Sequence, residues 1–93
     1  MSDLSNEQKT RLREAVLRVS ARRPLEPLSV TSLAFHVRQG QWMDCPVDER
    51  SVREALAVLQ GLGFVAPVQN PLGGIENWKP TADGILYYER NLQ

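Results

Sequence analysis

The run Asp48-Glu49-Arg50-Ser51-Val52-Arg53-Glu54-Ala55-Leu56-Ala57-Val58-Leu59-Gln60 holds the side chains of this sequence best suited to chemistry with a polar partner. Val52, Ala55, Leu56, Leu59 and Leu62 fall at helical spacing and form one apolar stripe. Arg50, Arg53, Ala57 and Gln60 then project from the opposite side, where a helix inserted in a nucleic-acid groove presents its reading residues. An arginine there can donate two parallel hydrogen bonds to a guanine edge. Arg50, Arg53 and Gln60 are therefore candidate DNA contacts, with Ser51 between the arginines a further one, and Arg22-Arg23, just past an earlier helix, is the best candidate phosphate clamp. Against this stand Asp48 and Glu49, two acids at the end that would meet the bases. Glu49–Arg53 and Arg50–Glu54 are also i,i+4 pairs, as are Glu7–Arg11 and Glu14–Arg18, and each supports a solvated helix by roughly 0.2–0.5 kcal/mol.

Other chemistries find no footing. His36 is the single histidine and lies within a helical pattern, which suits a surface or half-buried residue better than a ligand. Cys45 is the single cysteine, so neither an internal disulfide, a zinc site nor a Cys–His pair can be assembled locally. Gly73-Gly74 reads as turn chemistry, since no lysine-bearing helix follows as in a phosphate loop. No catalytic residue, metal or small-molecule cofactor is expected.

Length and charge narrow the class. Ninety-three residues make one small domain, and 42% hydrophobic with 24% charged residues is an ordinary globular composition. Eleven Lys+Arg balance eleven Asp+Glu, and the pI is about 6.6. This neutrality disfavours strong non-specific attraction to phosphates. The charge is uneven, with seven cations and four acids in residues 1–38 and the reverse, four and seven, in residues 39–93. No apolar run has membrane-spanning length and the first residues lack a signal-peptide core, so a cytoplasmic protein is expected.

The elements that must position these side chains can be read from caps and periodicity. A capping box, Ser5 to Gln8, opens a helix over 5–22 whose buried face is Leu12, Ala15, Val16 and Val19. Pro24 and Pro27 end it. Ser29 caps a second helix over 30–39, burying Val30, Leu33, Ala34 and Val37, with Gly40 as its stop. Residues 40–48 form an extended turn whose Trp42 packs back on the core. Asp48 caps the third helix, 49–62, and Val47 staples onto Val52. Gly63 supplies the left-handed exit. Strands from Phe64 to Gln69 and from Ile75 to Lys79 flank the turn Asn70-Pro71-Leu72-Gly73-Gly74, giving a hairpin over 64–79. A last helix over 81–91 packs through Ile85, Leu86 and Tyr88 or Leu92, and of the adjacent Tyr87 and Tyr88 one packs while the other faces outward.

The expected fold class is mainly α with a small antiparallel β-hairpin, three helices followed by a hairpin and a fourth helix, in a single domain 1–93. Arg50-Ser51-Val52-Arg53-Glu54-Ala55-Leu56, with Leu59 and Gly63-Phe64-Val65, resembles the recognition helix of GntR-type winged-helix repressors. Trp78-Lys79-Pro80-Thr81-Ala82-Asp83-Gly84 is similar to the wing's close in small bacterial and phage winged-helix proteins. The resemblance implies a stand-alone winged-helix regulator that binds double-stranded DNA, with Arg50 and Arg53 as DNA contacts. This chain departs from the family at Asp48-Glu49 and in its longer turn before the third helix, and no effector domain is expected downstream. A homodimer is expected through the terminal helices, at Leu4 and Gln8 and at Ile85, Tyr88 and Leu92. The alternative is a winged helix that binds protein rather than DNA, using the cation-free hairpin tip at Leu72 together with Ile85, Tyr88 and Leu92.

Overall fold

The computed structural model describes residues 4–68, 72–74 and 76–93, in the order α1 (Asn6–Ala21), β1 (Leu28–Ser29), α2 (Val30–Gly40), α3 (Glu49–Gly61), β2 (Val65–Val68), β3 (Asn77–Pro80) and α4 (Ala82–Asn91). Of the expected hairpin, Gln69, Asn70, Pro71 and Ile75 lie outside the described residues. The architecture is a winged helix. Helix α1 is central to it, packing on α2, α3, α4 and β3 at once. That position explains a burial wider than one stripe: Leu17, Ser20 and Ala21 are covered along with the expected Leu12, Ala15, Val16 and Val19. The cluster closes with Leu33, Ala34 and Val37 of α2, Val47, Val52, Ala55, Leu56 and Leu59 of α3 and its approach, and Val65 of β2.

Local chemistry sets each boundary. The Ser5 hydroxyl accepts from the Gln8 amide at 3.1 Å and the Gln8 side chain accepts from the Ser5 amide at 2.9 Å, which closes the capping box. Ser29 caps α2 through the Ser32 amide at 3.2 Å. At the end of α3 the Phe64 amide donates to Leu59 at 2.9 Å and the Gly63 amide to Gln60 at 3.0 Å, the paired bonds of a Schellman motif with Gly63 at φ 80°. The same motif turns Leu62 outward, to 59% exposure, so this leucine leaves the buried stripe to which its spacing assigns it.

Helix α2 runs through Gly40, and the left-handed residue after it is Gln41, at φ 56°. Gly40 is small for another reason: a Cβ there would overlap the Trp42 ring, which folds back over the helix end. Trp42 and Met43 pack against the core, as the extended turn requires. Two polar ties hold that turn in place. The Arg38 guanidinium donates to the Val47 carbonyl at 2.9 Å, and Arg11 of α1 faces Asp44 at 3.5 Å.

The sheet is larger than the expected hairpin. Leu28 pairs with Trp78 and Ser29 with Asn77, so β1 adds a third antiparallel strand in the order β1-β3-β2. Two residues are too few to show a period-2 signal, and Ser29 was legible only as a cap. The strand nonetheless anchors the start of α2 to the wing. In the other pairing Val65 faces Pro80 and Val68 faces Asn77.

Helix α4 is fastened to this sheet at one point. The Thr81 amide donates to the Phe64 carbonyl at 3.0 Å, the Thr81 hydroxyl donates to the Gly63 carbonyl, and the same hydroxyl accepts from the Gly84 amide at 3.0 Å. The fit leaves no room at Gly84, where a Cβ would drive into the Phe64 carbonyl oxygen. Helix propensity alone favours alanine over glycine by roughly 1 kcal/mol. Gly84→Ala is therefore expected to reverse the usual sign and cost about 1–3 kcal/mol through overpacking against backbone, a loss measurable by urea or thermal unfolding.

Candidate nucleic-acid interface

Packing of its apolar stripe inward turns the first turns of α3 toward solvent between the start of α2 and the wing. The three elements frame an open groove of about 440 Å³, lined by Val30 and Thr31 of α2, by Glu49, Arg53, Ala57 and Gln60 of α3, and by Glu76 and Trp78 on the β3 side. The α3 residues share one side because 49, 53, 57 and 60 are spaced by four, four and three. Trp78 of β3 and Glu76, just before that strand, line the same side of the groove. The groove thus carries two carboxylates, one guanidinium, a side-chain amide, a hydroxyl and an aromatic face.

The candidate contacts divide among different faces. Arg53 and Gln60 line the groove together. Arg50 stands beside it on the outer side of α3, exposed and facing Glu54 at 3.6 Å. Ser51 lies on another face, lining a small cleft with Leu4, Lys9, Arg13 and Glu54. Arg22 and Arg23 do not line the groove. The Arg22 Nε donates to the Tyr88 hydroxyl at 3.1 Å, and its guanidinium lies 5.7 Å from the centre of the Trp42 ring, with Arg18 at 5.6 Å from the same ring. Both guanidinium groups sit within cation–π range of one indole. Arg22 thus joins α1, α4 and the turn before α3 while remaining exposed, and Arg23 is half-buried.

The residues assigned to protein contact also separate. Leu72 is 96% exposed, Ile85 is half-buried, and Leu92 packs against the core. Tyr88 is buried, which withdraws it from any outer surface, whereas Tyr87 stacks on Phe64 with ring centres 4.7 Å apart. The apolar surface that sequence reasoning missed lies next to that stack. Val58, Leu62, Phe64, Tyr87 and Leu92 line a depression between α1, α3 and α4, with Arg13 and Glu14 at its edge. Leu92 is one of the expected contact residues, and the i,i+4 spacing of Val58 and Leu62 is the other sequence signal for this depression.

Ion pairing on α3 is loose. Arg53 and Glu49 approach to 3.9 Å, and both side chains are well exposed, so the pair contributes little to stability. On α1 the Glu7–Arg11 pair forms at 3.2 Å, while among the described residues Glu14 has no ion pair with Arg18, which is over Trp42 instead. The two acids at the start of α3 have different surroundings. The Asp48 carboxylate turns back and accepts from the Ser51 amide at 2.8 Å. That amide, then the Ser51 hydroxyl, with a smaller contribution from the Arg50 charge, holds Asp48 below its ordinary value of 3.8 despite some desolvation.

No family model and no curated protein matches this chain. Solved structures do match in fold. A transcriptional regulator from Clostridium thermocellum, Cth-833, superposes with a TM-score of 0.69 at 14% identity, covering 95% of this chain and 84% of that one. Two point mutants of ZitR from Lactococcus lactis superpose with TM-scores of 0.68 and 0.67 at 13% identity. They are covered over 55% and 54% of their length, so this chain spans about half of ZitR. Identity this low relates the folds alone. Among the described residues no helix is long and apolar enough to cross a membrane, and no cluster of three His, Cys, Asp or Glu is placed to hold a metal.

A depressed folded-state pKa gives stability that is present above the unfolded value and lost as pH falls through the folded one. Asp48→Ala is therefore expected to lower the melting temperature at neutral pH. The gap between mutant and wild type should close as pH falls below about 3.8, the ordinary value, in paired melts across the acid range.

Proposed function

We propose that this chain is a DNA-binding transcriptional regulator of bacterial or phage type that engages duplex DNA with the outer side of α3. The observation that carries this reading is the groove itself. The start of α2, the first turns of α3 and the wing converge on it, and it presents Arg53 and Gln60 on the side of α3 away from the core. A helix so framed can enter a major groove about 12 Å wide while its flanking elements approach the backbone. Fold likeness to a transcriptional regulator supports the same reading.

In this assignment Arg53 and Gln60 read base edges, and Arg50 reaches the duplex from the adjoining face. Ser51, turned toward α1, serves the helix cap. Arg23 is left as the backbone contact of the Arg22-Arg23 pair, because Arg22 is held by Tyr88 and Trp42. A chain with a net charge of zero gains little from phosphates as a whole. Binding should accordingly be strongest at low salt and depend on a few placed side chains. Electrophoretic shifts with duplex DNA are expected to show a complex at about 50 mM salt, and Arg53→Ala should weaken it by roughly 1–3 kcal/mol and relax sequence preference. Absence of any complex at that salt would favour the protein-binding alternative.

The functional unit we propose is a homodimer built on the depression at Val58, Leu62, Phe64, Tyr87 and Leu92. Arg13 and Glu14 stand at its edge with no ion pair among the described residues, so the surface carries both signs around an apolar centre. In the proposed dimer, two-fold rotation would set Arg13 of one copy against Glu14 of the other, as a symmetric interface requires, and a two-fold dimer matches a palindromic site. Light scattering is expected to give twice the chain mass of 10.5 kDa. Leu62→Asp should return it to the monomer value while leaving the circular dichroism of the fold intact.

A further inference from the structure

The acids at the start of α3 are a liability for a DNA-binding helix unless they do something there. Asp48 is accounted for by the cap, since its carboxylate is turned to the Ser51 amide. Glu49 is not, and it opens onto the same groove as Arg53.

We infer that Glu49 and Arg53 form one recognition unit for a G·C-containing step, with Arg53 donating to guanine and Glu49 accepting from the amino group of cytosine. This rests on the DNA-binding reading above and specifies what that site would select. Three observations support it. The two residues are one helical turn apart and line the same groove. Their separation of 3.9 Å is beyond ordinary hydrogen-bond length, and 45% of the Glu49 and 66% of the Arg53 side chain remain exposed. Neither group is therefore locked to the other, and both have capacity for a partner. The neighbouring pair, Arg50–Glu54, does not line the groove, which makes it an internal comparison.

The chemistry is complementary. In the major groove guanine offers two acceptors, N7 and O6, and cytosine offers the N4 amino donor. Arginine and carboxylate are the side chains that match these two edges. At the carboxylate position thymine presents the O4 acceptor, for which a carboxylate has no donor, and adenine presents an N6 amino donor beside the N7 acceptor, of which a carboxylate satisfies only the donor. The pair also suppresses indiscriminate binding. Glu49 cancels the charge of Arg53 toward phosphates, and Glu76 adds a second negative charge at the groove. What affinity remains has to come from base edges that satisfy both partners.

Replacing Glu49 by glutamine separates the effects, because the shape is kept, the charge is lost, and glutamine pairs with adenine N6 and N7. The experiment is selection from a randomised duplex pool with sequencing, on the full chain as wild type, Glu49→Gln and Glu54→Gln. Circular dichroism checks that each variant is folded. Wild type should enrich a G·C-containing step. Glu49→Gln should lose the cytosine preference at one position by about tenfold or more and gain adenine there, while binding random duplex more tightly. Glu54→Gln should also bind random duplex more tightly but select the wild-type bases. If Glu49→Gln selects the same bases as wild type with a uniform gain in affinity, Glu49 only repels phosphates and the inference falls. Wild type that binds duplex without base preference overturns the inference and leaves the DNA-binding reading standing. Wild type that binds no duplex at about 50 mM salt overturns both.

Discussion

The seam between α1 and α3 determines the rest of this molecule. Leu12, Ala15, Val16 and Val19 on one side and Val52, Ala55, Leu56 and Leu59 on the other belong to one buried cluster. Side chains in such interiors interdigitate at crystal-like density, so α3 cannot roll about its axis without opening voids. One residue of helix is about 100° of rotation, and a roll of that size would carry Arg53 from the groove to a neighbouring face. The placement of every outward group on α3 is thus fixed by methyl groups on its inward side. The acids, arginines and glutamine contribute almost nothing to holding themselves in place.

That division of labour explains how a neutral chain can carry a polar interface. The core and the caps supply the order, and the surface charges are left in loose pairs whose net field is small. A basic surface would gain affinity everywhere along a duplex. A balanced one gives up that general attraction and leaves discrimination to the geometry of a few groups. The wing takes part through Trp78 of β3 and Glu76 just before it, which reach the groove, while Leu72 is exposed.

Much of this was legible in the sequence, and the reasons differ by element. The α3 stripe, its Asp48 cap and the Gly63 exit are strong local signals, and each determines the backbone within a turn of itself. Strand β1 was not legible, because two residues that pair across more than forty positions leave no periodic trace. Leu62 misled for a related reason: its spacing fits the stripe, but the exit geometry at Gly63 turns it outward. Arg22 looked like a free cation because its partners, Tyr88 and Trp42, are brought to it by tertiary packing. The groove was half legible. Arg53 and Gln60 follow from helix geometry, whereas Thr31, Glu76 and Trp78 join them through the strand that the sequence hid.

Trp78 gives the protein a built-in optical probe. Trp78 lines the groove, and its ring N–H is buried with no hydrogen-bond acceptor among the described residues. The second tryptophan, Trp42, lies beneath two guanidinium groups, away from that groove. The two indoles thus differ in both polarity and position. Intrinsic emission from the first reports on whatever enters the interface, and the second serves as an internal reference that reports on the packing of α1 and α4 instead.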